Sequence, residues 1–78
     1  MRNEVKSIAV GVAQVKLTPE SDHEKTLLKD NVETDTIELY YHKAVEDKLP
    51  GYVLLQVMDQ SEWPYAAMVR VQKIVGIG

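Results

Sequence analysis

The chain has no cysteine and no phenylalanine, one tryptophan, three prolines and four glycines. Without cysteine there is no disulfide staple, no thiol chemistry and no cysteine-ligated zinc site. A small domain lacking such staples suits a reducing cytoplasm, which is the compartment expected. No apolar run approaches the ~20 residues that a membrane-spanning helix needs. The opening Met1-Arg2-Asn3-Glu4-Val5-Lys6 is charged and leads into a strand-like pattern, with no signal-peptide region. The two histidines, His23 and His42, have no H-x-x-x-H or H-E-x-x-H spacing, so neither a metal nor a cofactor is expected. Gly11, Gly51, Gly76 and Gly78 form no glycine-rich loop opening a helix, which excludes a phosphate cradle of that kind. Ser7, Ser21 and Ser61 stand in no G-x-S-x-G elbow. A chain of 78 residues is one domain, residues 1–78, with little room for a deep pocket. The expectation is a protein that is not an enzyme.

What the chain does have is an uneven distribution of charge. Its net charge is −3. Residues 20–47 hold nine acidic side chains (Glu20, Asp22, Glu24, Asp30, Glu33, Asp35, Glu38, Glu46 and Asp47) against three lysines, a local net of −6. A fold that gathers this segment on one side has an acidic face. Such a face attracts basic protein surfaces and repels nucleic acid. The plain alternative is a solvated face that keeps a small protein soluble.

Val5 to Leu17 reads as one strand, with Ile8, Val10 and Val12 on one face and a bend or bulge at Gly11. Thr18-Pro19-Glu20 is a helix-start signal. Ser21-x-x-Glu24 offers a second start in capping-box spacing, and the helix runs to about Asn31. Thr34 to Lys43 alternates, with Ile37, Leu39 and Tyr41 pointing one way, and reads as a half-buried strand. Leu49-Pro50-Gly51 marks a turn. Tyr52 to Asp59 is the most apolar strand, with Val53, Leu55 and Val57 on one face and Leu54 and Met58 on the other. This two-sided character suggests a central position, or a homo-oligomer contact. After a loop through Trp63-Pro64, Tyr65 to Val75 reads as a last strand, broken near Gln72-Lys73 if a fifth strand exists. The expected fold is α+β: an antiparallel sheet of four to five strands with one helix after the first strand. A small β-barrel with an inserted helix is the alternative.

These features favour partner binding. Trp63-Pro64-Tyr65, beside Met58 and Met68, makes an aromatic and methionine-rich contact patch. A loop folded back over the sheet edge is the competing reading. The aromatics Tyr40, Tyr41, Tyr52, Trp63 and Tyr65 could also stack bases, with Arg70 and Lys73 on phosphates. The acidic balance disfavours nucleic acid as the partner, since phosphate contacts dominate such affinity.

From Glu33 to Val71 the order of residues resembles the phage uracil-DNA glycosylase inhibitor family. The resemblance is carried by Glu33-Thr34-Asp35, Val53-Leu54-Leu55, Asp59-x-x-Glu62-Trp63, Pro64-Tyr65-Ala66 and Met68-Val69. It implies a small protein that binds a DNA-processing enzyme, in a host cytoplasm, through an acidic edge imitating DNA and an aliphatic groove between helix and sheet. The family's Glu-Ser step corresponds here only to Glu20-Ser21, which sits at a helix start. The acidic contacts expected from the Glu20-Ser21 step and from the charge distribution together are Glu20, Ser21, Asp22, Glu24, Glu33, Asp35 and Glu38. The implied groove draws on Leu27, Leu28, Leu39, Met58 and Met68. The family's N-terminal helix has no counterpart in this sequence. A self-assembling structural protein and a single-stranded nucleic-acid binder are the alternative functions.

Overall fold

The computed structural model describes residues 1–74. It contains β1 (Arg2–Ala9), β2 (Val12–Thr18), α1 (Asp22–Asp30), α2 (Thr34–Lys48), β3 (Tyr52–Asp59) and β4 (Ala66–Lys73). The strands form one antiparallel sheet in the order β1-β2-β4-β3. The fold is therefore α+β, as the alternation and capping signals indicate. The sheet is open, which removes the barrel alternative, and two helices follow the first hairpin where one was expected after a single strand.

The segment from Val5 to Leu17 is not one strand. It folds back at Val10-Gly11, where Gly11 takes φ +76° and its carbonyl accepts from the Val71 amide at 2.9 Å. Ile8 is an extra residue in the register between Ser7↔Ala13 and Ala9↔Val12. Ala13, Val15 and Leu17 turn into the core, and Ile8 and Val10 stay in solvent. The face assigned to Ile8, Val10 and Val12 is thus an outer one.

α1 starts at the second of the two sequence signals. Ser21 is the N-cap in extended backbone, and its hydroxyl accepts from the Glu24 amide at 3.2 Å. Glu24 Oε1 accepts from the Glu20 amide at 2.9 Å, one residue upstream of the usual capping-box partner. Asn31 closes the helix in the left-handed conformation, φ 51°, with its amide bonded to the Leu27 carbonyl.

Thr34–Lys43, expected as a strand, is the first part of α2. Its buried residues are Ile37, Tyr41, Ala44 and Val45, the i, i+4, i+7, i+8 stripe of a helix lying on a sheet. Leu39, expected on the same face as Ile37 and Tyr41, is 58% exposed because it sits on the far side of the helix.

β3 has the bounds the sequence gives it but lies at the sheet edge, not the centre. Two irregularities explain its two-sided apolar character. Leu55 is extra between Leu54↔Val71 and Gln56↔Arg70, and Met58 is extra between Val57↔Val69 and Asp59↔Met68. Each insertion resets the alternation. Leu54 and Val57 pack with the core, while Leu55 and Met58 are 51% and 47% exposed. β4 runs unbroken to Lys73; an extension through Val75, or a fifth strand, lies outside the described residues.

α2 lies on one face of the sheet, against β1, β2 and β3. Leu27 and Leu28 of α1 join the α2 stripe and the inward residues of β2, β3 and β4 in one cluster. The opposite face carries Lys16, Gln14, Met68 and Arg70 and, among the described residues, no element covers it. No described helix is long and apolar enough to cross a membrane.

Candidate interaction surface

Contacts at one end of the sheet locate α1. The amine of Met1, leading into β1, lies 2.8 Å from Glu24 Oε2 and 3.5 Å from Glu20 Oε1. At the other end of α1, Asn31 Oδ1 accepts from the Trp63 indole at 3.1 Å. Trp63 stacks on Tyr41 with ring centroids 4.9 Å apart, and the Tyr41 hydroxyl donates to the Pro64 carbonyl at 2.8 Å. The Trp63–Pro64 peptide bond is cis. Thus α1, the loop between β3 and β4, and the start of α2 share the end where β1 begins and β3 finishes.

The carboxylates follow these elements. Glu20, Asp22, Glu24, Asp30, Glu33 and Asp35 all lie on or beside α1 and the first turn of α2. Glu38 stands about one turn further along α2. Asp59 and Glu62 come from the neighbouring loop region, while Glu46 and Asp47 sit at the far end of α2. Segment 20–48 holds nine acids against four lysines, and the four strands hold five basic residues against two acids. The molecule is therefore electrically two-layered, with an acidic pole at one end. Among the described residues, the only ion pairs are the two made by the Met1 amine. Most of these carboxylates face water outside any ion pair, with Lys25 and Lys29 of α1 standing among them.

Glu20 and Glu24 do a separate job. Glu24 is pushed below the usual carboxylate range, chiefly by its bond to the Met1 amine and then by the Glu20 amide. The Met1 amine is raised in turn, chiefly by Glu24. The carboxylate's contribution to stability is complete above its ordinary value of 4.5 and fades as pH falls through the lowered folded value. The amine's contribution is complete below 8.0 and fades as pH rises through the raised folded value. Wild type should therefore exceed Glu24→Gln in stability most near neutral pH, with the gap closing in both acid and alkali. Urea unfolding of both proteins at acid, neutral and alkaline pH measures this, and a gap independent of pH would contradict it.

The remaining site residues are not brought together as the resemblance implies. Leu27 and Leu28 are buried in the core, so they cannot line a groove open to a partner. Leu39 projects outward from α2, Met58 from the β3 edge, and Met68 from the uncovered sheet face. The chain's own side chains fill the space expected as an aliphatic groove. Trp63 is half-buried against Tyr41, and only Tyr65 of the loop aromatics is exposed. The loop thus folds back onto the helical layer. Tyr41 is wholly buried, so it and its stacked partner form no platform for bases.

One hollow was not foreseen. Glu38, Tyr41 and His42 of α2 face Leu54, Leu55, Gln56 and Val57 of β3 across a groove of about 260 Å³. The signal for it was the i, i+3, i+4 spacing of Glu38, Tyr41 and His42, visible only once 34–48 is read as a helix. Among the described residues, no three His, Cys, Asp or Glu side chains converge as metal ligands would. Comparison of the chain with protein-family models, with curated proteins and with solved structures finds no match.

Proposed function

We propose that this chain is a non-enzymatic interaction protein that presents its acidic pole to a basic surface of another protein. The observation that supports this most is the run of exposed carboxylates on and beside α1 and the start of α2, most of them outside any ion pair. Keeping so many like charges together opposes folding, so a partner that neutralises them gains favourable Coulomb energy and a fast encounter. The resemblance at Glu33–Val71 makes a DNA-processing enzyme, uracil-DNA glycosylase, the first partner to test. In that version the acidic pole imitates the charge of DNA and the chain acts as an inhibitor. Asp22, Glu33, Asp35 and Glu38 are the contacts available for this, because Glu20 and Glu24 are engaged by the Met1 amine.

Calorimetric titration of the chain into uracil-DNA glycosylase tests it. A complex is expected at low salt, weakening at least about tenfold in moderate salt because exposed charges steer it. Neutralising Glu33 and Asp35 to glutamine and asparagine should weaken it further, with the fold retained. Absence of a complex at low salt removes the glycosylase version, and absence of salt-sensitive binding to any basic protein removes the general one.

A further inference from the structure

β1 and β3 are the two edges of the sheet, and they differ. β1 carries Arg2, Glu4 and Lys6, charges that discourage pairing with another strand. From Tyr52 to Met58, β3 has no charged residue and no proline. Among the described residues, the outward backbone groups of 53–58 have no partner in the turn and loop hydrogen bonds either. The bulges at Leu55 and Met58 twist this edge but put no charge on it, and an apolar edge left open in this way is a template for an added strand. Beside it runs the groove under α2, floored by Leu54 and Val57 and walled by Glu38 and His42. Asp35, Glu38, His42 and Glu46 follow a three-four-four spacing, which puts them on one flank of α2. That flank contains no lysine or arginine.

We propose that β3 takes up an extended segment of the partner protein as a fifth strand, with cationic side chains on alternate positions meeting the acidic flank of α2. This rests on the reading of the chain as an acidic interaction protein and names the form its partner offers. The spacings agree. Alternate residues of a strand advance about 6.6–6.8 Å, and residues four apart on a helix about 6 Å. Charge also selects this occupant over a second copy. Pairing β3 with β3 about a two-fold axis would place two α2 helices on one face, each turning its acidic flank to the other. A cationic strand turns that repulsion into attraction.

The probe is a capped, labelled peptide of alternating lysine and valine, about as long as β3. Binding should protect β3 amides from hydrogen exchange. Two backbone-methylated isomers, one blocked at every lysine amide and one at every valine amide, should separate: one loses at least about tenfold in affinity and the other binds, because only one set of amides faces β3. Leu55→Lys, at an exposed position, should weaken binding about tenfold without unfolding the chain, and Glu38→Gln should weaken it less. Equal binding of both isomers would overturn strand addition and leave the acidic-pole reading standing. Failure of the peptide alongside salt-sensitive binding of a folded basic protein would do the same. Protection of β3 that grows with protein concentration alone would assign the edge to a second copy, against the proposal.

Discussion

Tyr41→Ala is expected to lower the thermal midpoint by roughly 15–30 °C, the largest effect of any single truncation in the molecule. Tyr41 is fully buried and is the largest side chain that is. Truncating an aromatic in such a position costs about 3–5 kcal/mol through lost transfer energy and the cavity left behind. A domain of this length has a total stability of only about 4–12 kcal/mol, so the loss is a large part of the whole. Tyr41 also joins three elements. It lies on α2, its ring stacks on Trp63, and its hydroxyl holds the Pro64 carbonyl. Tyr41→Phe separates these roles. It keeps ring and stack but strands a buried carbonyl, at about 1–2 kcal/mol. Burial also pushes the phenol well above its ordinary value, so the hydroxyl stays a donor throughout the neutral range. Ionising it favours the unfolded chain, so stability falls as pH rises above the unfolded value of 10.0. Trp63, the chain's one tryptophan, reports on all of this, and urea unfolding followed by its emission should rank wild type above Tyr41→Phe above Tyr41→Ala. Near-equal midpoints for wild type and Tyr41→Ala would mean that the stack and the burial are not as described.

Where the sequence was legible, local chemistry carried the information. Ser21-x-x-Glu24 and Asn31 bound α1 because a hydroxyl, a carboxylate and a residue tolerant of positive φ act within one turn. Tyr52–Asp59 stood out because its apolar density is high and Pro50-Gly51 precedes it. The first part of α2 reads as a strand because Ile37, Leu39 and Tyr41 satisfy a two-residue period, while threonine, isoleucine and tyrosine are strand formers by propensity. The helical period appears only when the window reaches Ala44 and Val45. The Val10-Gly11 turn lacked the Asn-Gly or Asp-Gly signature of a tight hairpin, so Gly11 suggested a bend and no more. The edge position of β3 depends on which strands pair, a long-range matter. The irregularities at Leu55 and Met58 are set by the register with β4 and leave no mark in the segment itself.

The candidate site divides along the same line. The carboxylates sit on consecutive helices and caps, so their nearness along the chain is legible in the sequence. The surroundings of the apolar residues are not. Periodicity says that Leu27 and Leu28 face something apolar, but not whether that is the chain's own sheet or a partner's side chain. Only the packing of α1 across the end of the sheet decides it, and it decides for the core.

That decision has a measurable consequence in a pair of variants. Leu28→Ala should destabilise the fold by about 2–5 kcal/mol, because Leu28 has no exposed surface and the truncation opens a cavity beneath α1. Leu39→Ala should change stability by less than about 0.5 kcal/mol, since Leu39 is 58% exposed on the outer side of α2. A groove built from both residues and open to a partner would give the reverse pattern: two stable variants, each weakened in binding. In the described arrangement, Leu28→Ala affects a complex only by depleting the folded state. Its loss of apparent affinity should therefore vanish when the measurement is corrected for the unfolded fraction, or when an osmolyte restores folding. Denaturant unfolding of both variants, alongside titration with the basic partner in an osmolyte, separates the cases. A stable Leu28→Ala protein that still binds poorly would return Leu28 to the interface and put the packing of α1 in error.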